Sequence, residues 1–207
     1  MWRPGAARLA KGSPVTVTLT KGGNVSLSKE APGLTAVVVG LGWQARTSSG
    51  ADFDLDASAL MLGANGKVLS DAHFVFFNNL ASPDGSVEHS GDDLTGGSGT
   101  ADDEQIKVSL PAVPAEVETI AIAVSIYDAD NRRQSFGQVR TAFIRVVNQA
   151  DDFEITRYDL TEDASTETAM IFGELYRHGA EWKFRAVGQG YSDGLHGIAR
   201  NFGVNVA

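Results

Sequence analysis

The sequence predicts an all-β fold, either a sandwich or a barrel, with a short helix near its C-terminal end. Apolar and polar residues alternate in several stretches, for example at 14–20, as expected for half-buried strands. Other stretches, such as 34–43, are short, rich in β-branched residues and bounded by glycine or proline, which favours buried strands over helices. Because many such strands follow one another with turn residues between them, a sandwich or a barrel is the expected architecture.

Turn and cap signals divide the chain between these strands. Asn65-Gly66 is the strongest short hairpin signal, and Ser82-Pro83-Asp84-Gly85 has the composition of a tight turn. One helical turn is expected within 111–114, and the C-terminal helix at 192–202, where Ser192 is placed to cap it. The expected strands are 14–20, 25–28, 34–43, 52–62, 73–77, 105–110, 119–127, 139–147, 153–160, 169–177 and 181–187.

Length and composition predict one domain. The chain has 207 residues, of which 43% are apolar, and this is enough for one substantial core. Residues 1–13 mix arginine, proline, glycine and alanine without periodicity and are expected to form a flexible extension of a single domain at 14–207. The chain has no cysteine, which excludes disulfides and thiolate metal sites, and no apolar run long enough for a signal peptide or a membrane span. A cytoplasmic protein is therefore expected.

The charge of the chain is concentrated in its middle. Residues 1–46 carry +5 (six basic, one acidic), whereas residues 47–131 carry −13 (two basic, fifteen acidic). A strongly acidic middle argues against a surface for nucleic-acid phosphates and favours cations or basic partners. Cation ligands are therefore expected in this region.

The acidic stretch Asp52-Phe53-Asp54-Leu55-Asp56 is the first part of a predicted cation site. In a strand, its three carboxylates face one way and its two apolar side chains the other. Three like charges at two-residue spacing repel one another, and a divalent cation among them removes that cost. Without further ligands, a row of solvated acids is an equally good interpretation.

The loop at 91–104 supplies those further ligands. It carries paired acids at both ends and glycines between them, which let the backbone curl around an ion. Because Ca²⁺ takes six to eight oxygen ligands, we expect the two segments to meet and bind calcium. The spacing is not that of an EF-hand, since Ala57 stands where that motif needs glycine. Asn79 is expected to add an amide oxygen, and the alternative is that it simply ends a strand.

Other motifs favour simpler interpretations. Asp128 and Asp130 are expected to lie in a solvated turn, and His89 to be a polar residue beside the loop rather than a zinc ligand. The glycine-rich stretch 188–194 misses the dinucleotide fingerprint by one residue and is expected to be a turn entering the C-terminal helix. An acid and base pair for glycoside hydrolysis is the enzymatic alternative, but a dense cluster of acids with glycines is better suited to holding a cation.

Several phrases of the sequence together resemble the TerD family, the stress-response proteins of bacterial tellurium-resistance loci. The resemblance covers nearly everything from about residue 19 onward. It rests on KGGNVSLSKEAPGLTAVVVGLGW, GADFDLDASALML, FFNNLASPDGSVEHSGDDLTGGSGTADDEQI, SFGQVRTAFIRVVN and AMIFGELYRHGAEWKFRAVGQGY. The family pattern usually has glycine just before the second acidic pair, where this chain has Thr100-Ala101.

This resemblance implies a two-sheet β-sandwich that is cytoplasmic, is not an enzyme and holds more than one calcium ion. It implies partners among other stress-response proteins, with the membrane surface as one place of assembly, and no nucleic acid. The alternative is a receptor for a nucleotide or phosphate whose anion is held through bound calcium. The metal ligands that it implies are Asp54, Asp56, Asp92, Asp93, Asp102, Asp103 and Glu104.

Overall fold

Two packed β-sheets form the protein. The computed structural model describes residues 15–45, 53–90, 102–160 and 166–205, and within them twelve strands form two six-stranded sheets. The strands are β1 (Val17–Leu19), β2 (Asn24–Ser26), β3 (Ala36–Ala45), β4 (Leu55–Leu62), β5 (Phe74–Val75), β6 (Val87–His89), β7 (Glu104–Ser109), β8 (Thr119–Ile126), β9 (Val139–Asn148), β10 (Glu154–Asp159), β11 (Ala169–His178) and β12 (Glu181–Tyr191). The α-helices are α1 (Leu27–Glu30), α2 (Ala129–Arg132) and α3 (Gly194–Asn201).

The order of strands in each sheet decides which parts of the chain meet. The first sheet has the order β1-β10-β9-β3-β7-β6, and the second has the order β2-β12-β11-β8-β4-β5. Only β1 and β10 run parallel among the described strands, and the other pairs are antiparallel. The expected fold class, an all-β two-sheet sandwich with a short C-terminal helix, is confirmed.

Strand β4 is buried on both faces. Its residues Leu55, Ala57, Ala59 and Met61 point into the main core between the sheets. Its residues Leu60 and Leu62 point outward into a second apolar cluster, which α3 covers with Ile198 and Ala199. Every residue of β4 is therefore buried, including the acid in it.

Two predicted strands are shorter in the structure. Residues 25–28 do not continue as a strand, because the Ser26 side chain accepts a hydrogen bond from the N–H of Lys29 at 3.3 Å and caps α1. The aromatic stretch 73–77 is a strand only at Phe74–Val75, since a 3₁₀ turn at Asp71–His73 precedes it.

The glycine-rich stretch 188–194 was predicted to be a turn, but most of it belongs to a strand. Strand β12 continues to Tyr191, and Gly190 pairs with Met170 of β11. The register of this pair shifts between Ile171 and Gly173, and Gly188 has a φ of +63° close to that irregularity. Glycine adopts this backbone conformation without steric cost, so the ladder can continue past the shift.

The N-cap of helix α3 lies one residue later than predicted. Its N-cap residue is Asp193, whereas Ser192 donates a hydrogen bond from its hydroxyl to the Asp193 carboxylate at 3.2 Å. With eight residues, α3 is the longest helix in the described part of the chain, and helices of this length are too short to cross a bilayer.

The predicted turn at 82–85 leads directly into β6. One oxygen of the Asp84 carboxylate accepts hydrogen bonds from the N–H of Ser86 at 2.8 Å and from the hydroxyl of Ser82 at 3.2 Å. Gly85 has a φ of +69°, as this turn requires. Burial raises the pKa of Asp84, but the hydrogen bonds from Ser86 and Ser82 outweigh it, and the pKa lies below its ordinary value of 3.8.

We predict that Asp84→Asn lowers the free energy of unfolding at neutral pH by roughly 1 kcal/mol, because it weakens these hydrogen bonds to a charged acceptor. A pKa lowered in the folded state stabilises above the unfolded value and loses that contribution as the pH falls through the folded pKa. The difference between wild type and variant should therefore shrink below about pH 4.

Urea unfolding at several pH values between neutral and acid tests this prediction. Glu116→Gln removes an exposed carboxylate and controls for net charge. A difference between wild type and Asp84→Asn that stays constant down to acid pH would contradict it.

Candidate metal centre

The candidate site lies at an open edge of β4. On one side β4 pairs with β8 along its whole length, but on the other side β5 pairs only with Ala59 and Leu60. The N–H and C=O of Ala57 point to this second side, where no described strand pairs with them. Buried backbone groups need partners, and here side chains of the first sheet supply them.

His89 and Glu104 satisfy the backbone of Ala57. Glu104, at the start of β7, accepts a short hydrogen bond from the N–H of Ala57 through Oε2. His89, at the end of β6, has its Nε2 3.0 Å from the carbonyl oxygen of Ala57 and 3.5 Å from Oε2 of Glu104. Both side chains are fully buried, so the two sheets are joined here by polar contacts.

The surroundings of His89 favour its charged form. Burial lowers the pKa of His89, but the hydrogen bond and the negative charge of Glu104, the carbonyl of Ala57 and the charge of Asp56 outweigh it. The pKa of His89 is therefore raised above its ordinary value of 6.5. Because the negative charge of Asp56 contributes to this rise in the pKa of His89, Asp56 interacts electrostatically with the pair of His89 and Glu104.

Asp54 and Asp56 lie on the face of the second sheet that points away from the first. Asp56 pairs with Ser125 of β8, and the carbonyl of Asp54 accepts a hydrogen bond from the N–H of Tyr127 at 2.9 Å. Each aspartate is only 6% exposed. Phe53, which directly precedes Asp54, points the other way and packs in the main core. Buried carboxylates need hydrogen bonds or positive charge around them, so this is a costly position for two acids.

Glu104 has the donor geometry of a cation ligand. Its Oε2 is held by Ala57, whereas its Oε1 is buried without a hydrogen-bond partner among the described residues. A buried carboxylate oxygen without a partner is costly, and hard cations bind such oxygens. The free oxygen of Glu104 therefore fits the chemistry of a single calcium ligand, and within the described residues no group of three or more acids and histidines is placed to hold an ion. Asp92 and Asp93 lie outside the described residues.

Asp102 lies on the opposite side of the first sheet from this edge. Its two carboxylate oxygens accept hydrogen bonds from Arg145 of β9 at 2.6 and 3.1 Å, and Gln105 donates another at 3.2 Å. Arg145 also contacts Glu154 of β10 at 3.2 Å. Arg145 therefore neutralises Asp102, and Gly40 leaves the space in which this carboxylate lies.

The other two predicted ligands make backbone contacts. Asp103 accepts a hydrogen bond from the N–H of Trp43 at 3.0 Å, which extends the pairing of β3 with β7. The amide nitrogen of Asn79 donates to the carbonyl oxygens of Phe74 at 2.7 Å and of Ala72 at 3.2 Å. This is the strand-ending role that the sequence also allowed for Asn79.

Sequence reasoning did not find the roles of His89 and Arg145. One signal for His89 was present, because the alternation of Val87, Glu88 and His89 places the histidine on the same inward face as the valine. The partners of Arg145 have no such signal, since Asp102 is distant in the chain and reaches Arg145 only through the order of the strands.

Residues 15–202 match the family model for the TerD domain. The chain belongs to the TerD family. It is 61% identical over 193 residues to "Tellurium resistance protein TerD" of Serratia marcescens, which covers 93% of this chain and 100% of that relative. It is 52% identical, with the same coverage of both chains, to "General stress protein 16U" of Bacillus subtilis (strain 168). The names of these TerD-family relatives are those of resistance and stress proteins.

Solved structures share the TerD-type fold. A homologue of telluride resistance protein (TerD) from Streptomyces coelicolor A3(2) superposes with a TM-score of 0.63 at 22% identity, over 81% of this chain and 96% of that one. A protein of unknown function superposes with a TM-score of 0.67 at 24% identity, over 84% and 99%. At these identities the likeness establishes the fold.

The position of Asp102 in this TerD-family chain gives a test. A Cβ on Gly40 would lie 2.2 Å from the carboxylate carbon of Asp102, which is a short side chain held by Arg145. We predict that Gly40→Ala lowers the free energy of unfolding by about 1–3 kcal/mol, because the sheet must shift or the ion pair must move.

Urea unfolding of Gly40→Ala, Asp102→Ala and the double variant measures the coupling. The added methyl group should cost less in the Asp102→Ala background, because its main obstacle is gone. If the free-energy change of the double variant equalled the sum of those of the two single variants within about 0.5 kcal/mol, this placement of Asp102 would be contradicted.

Proposed function

We propose that this TerD-family chain is a cytoplasmic, non-enzymatic calcium-binding protein of a stress response that includes resistance to tellurite. In this proposal calcium completes a binding surface at the open edge of β4. The observation that carries the proposal is the buried Glu104 carboxylate, because its Oε1 has no hydrogen-bond partner among the described residues. This carboxylate contacts the edge of β4 at Ala57, close in the chain to the buried Asp54 and Asp56.

The ligands divide into a described group and a predicted group. Asp54 and Asp56 come from β4 and its preceding residue, and Glu104 comes from β7. Asp92 and Asp93 are proposed to complete the oxygen shell, because a calcium ion takes six to eight oxygens and one oxygen of the three described carboxylates is already bound to Ala57. Asp102, with Asp103 next to it in the chain, lies across the first sheet from this edge and is paired with Arg145, so these two predicted ligands are proposed to belong to a second ion.

Bound calcium would supply positive charge to carboxylates that are otherwise crowded and removed from water. In this proposal Asp54 and Asp56 on the outer side of β4, and Glu104 from β7, approach the ion at the open edge of β4. Asp92 and Asp93 are proposed to join them there, so that an ion links three parts of the chain. Such a link creates a surface that a partner can recognise only in the loaded protein.

The burial of Glu104 supports a role in binding rather than in catalysis. Its side chain has no exposed surface, and one of its oxygens is already used by Ala57. A general acid or base must reach the substrate atom directly or through one water. Asp54 and Asp56 are also buried, so none of the three described carboxylates presents a reactive oxygen to a bulky substrate.

The proposed partners are other stress-response proteins, with the membrane surface as one place of assembly. The negative charge of the middle of the chain, −13 over residues 47–131, favours partners with basic surfaces and disfavours nucleic acid. Affinity capture from a cell lysate, with calcium and with a chelator, identifies partners that bind only the loaded protein.

We predict that calcium raises the stability of the protein. A ligand that binds only the folded state stabilises it by RT ln(1 + [L]/Kd), so calcium at about a hundred times its Kd should add about 2.7 kcal/mol. Thermal unfolding with calcium and after addition of a chelator measures this effect. Absence of heat on calorimetric titration, together with an unchanged melting temperature, would remove the calcium proposal.

We further predict that Asp54→Asn acts in opposite directions with and without calcium. With calcium, the variant should bind the ion substantially more weakly, because a neutral amide replaces an anionic ligand. In calcium-free buffer its stability should be unchanged or higher, since one of several repelling charges is removed.

Glu116→Gln is the matched control for this reversal. Glu116 is an exposed carboxylate in the link before β8, and its replacement by an amide changes the net charge by the same amount. It should leave both calcium affinity and stability nearly unchanged in both buffers. If Asp54→Asn and Glu116→Gln had the same effects on calcium affinity and stability, Asp54 would be a charged residue that does not bind the ion.

A further inference from the structure

We propose that His89 is a positioning residue for the cation site: it fixes Glu104 and the open edge of β4 through the peptide group of Ala57, without touching the ion. This inference rests on the proposed calcium-binding function and adds to it a residue outside the ligand set. It also assigns a role to a buried histidine that the proposed ligands do not use.

The first step concerns the peptide group of Ala57. Its N–H and C=O face the side of β4 where β5 pairs only with Ala59 and Leu60. The N–H donates to Glu104 and the C=O contacts His89, so two side chains of the first sheet replace a neighbouring strand. Without them, two buried backbone groups would lose their partners, which is costly.

The second step concerns the proton on His89. A carbonyl oxygen only accepts hydrogen bonds, so the 3.0 Å contact from Nε2 to Ala57 requires a proton on Nε2. The same N–H lies 3.5 Å from Oε2 of Glu104. His89 is therefore a donor between a carbonyl and a carboxylate, and its tautomer is determined by these neighbours.

The third step concerns the two oxygens of Glu104. Oε2 is held by Ala57 and approached by His89, while Oε1 has no hydrogen-bond partner among the described residues. Holding one oxygen fixes the direction of the other. Residues that orient a ligand in this way commonly change metal affinity by about 10–100-fold when they are replaced.

The geometry also explains why a histidine stands at this position. His89 pairs with Ile106 in the ladder of β6 with β7, so Glu104 is its diagonal neighbour two residues along the same face. The side chain must cross from the first sheet to Ala57 of the second and end in a donor. A glutamine amide reaches about as far as the Nε2 atom of histidine, whereas an asparagine amide ends near the position of Nδ1.

Four variants of the full chain test this proposal by calorimetric titration with calcium chloride. His89→Leu removes the donor and keeps an apolar side chain, His89→Asn keeps an amide that is too short, and His89→Gln keeps one that reaches. His178→Leu replaces an exposed histidine at the end of β11 and is the control. We expect affinity to fall by about 10–100-fold for His89→Leu and His89→Asn and to stay within a few-fold of wild type for the other two.

Two measurements on the calcium-free protein separate positioning from general packing. Hydrogen exchange of the Ala57 amide should be faster in His89→Leu and His89→Asn than in wild type and His89→Gln. The imidazole ¹⁵N spectrum of wild type should show a proton on Nε2 of His89. A neutral His89 protonated only on Nδ1 would overturn the proposal.

The outcomes distinguish this proposal from the proposed function. If wild type binds calcium and His89→Leu or His89→Asn binds it equally well, His89 has no positioning role and the calcium site stands. If wild type binds no calcium, both fall. Should His89→Leu fail to fold, the asparagine and glutamine variants carry the test, because they are similar in polarity and differ in reach. Equal loss of affinity in those two would also overturn the proposal.

Discussion

The burial of β4 on both faces is the constraint on which the candidate site depends. Its inner face belongs to the core between the sheets, and Leu60 and Leu62 on its outer face lie in the second apolar cluster with α3. Acids in or next to this strand are therefore largely removed from water. Asp54 and Asp56 nevertheless occupy it, and Glu104 meets its edge at Ala57. Because isolated buried carboxylates cost several kcal/mol, each needs compensation nearby. The cation in our proposal is one such compensation.

Asp102 and Glu104, only two residues apart in the chain, lie on opposite faces of the first sheet. Glu104 points inward and meets the backbone of β4 and His89. Asp102 lies on the other face, over Gly40, and is neutralised by the forked guanidinium of Arg145. This division reduces repulsion between neighbouring acids, because each is close to a different basic side chain. It also means that acids close together in the sequence do not automatically share one ion.

Local patterns predicted the parts of the fold that local forces decide. Alternation correctly placed Phe53 in the core, and the turn at 82–85 formed as its composition indicated, since Asp84 accepts its hydrogen bonds within the turn. The failures occurred where a pattern suits two structures equally well. The stretch 25–28 alternates as a strand does but also has a serine cap for α1, and glycines at 188–190 suit a turn but also suit an irregular strand.

The sequence by itself determined the fold class, the family, the face on which most strand residues lie and the concentration of acids in the middle of the chain, because these follow from periodicity, turn chemistry and charge within short segments. Only the tertiary structure decided which acids meet. Ala57 contacts His89 and Glu104 across 32 and 47 residues of chain, and these contacts exist because the order of the strands brings β6 and β7 to the open edge of β4. Strand order depends on how whole faces pack against each other, and no short segment records that information.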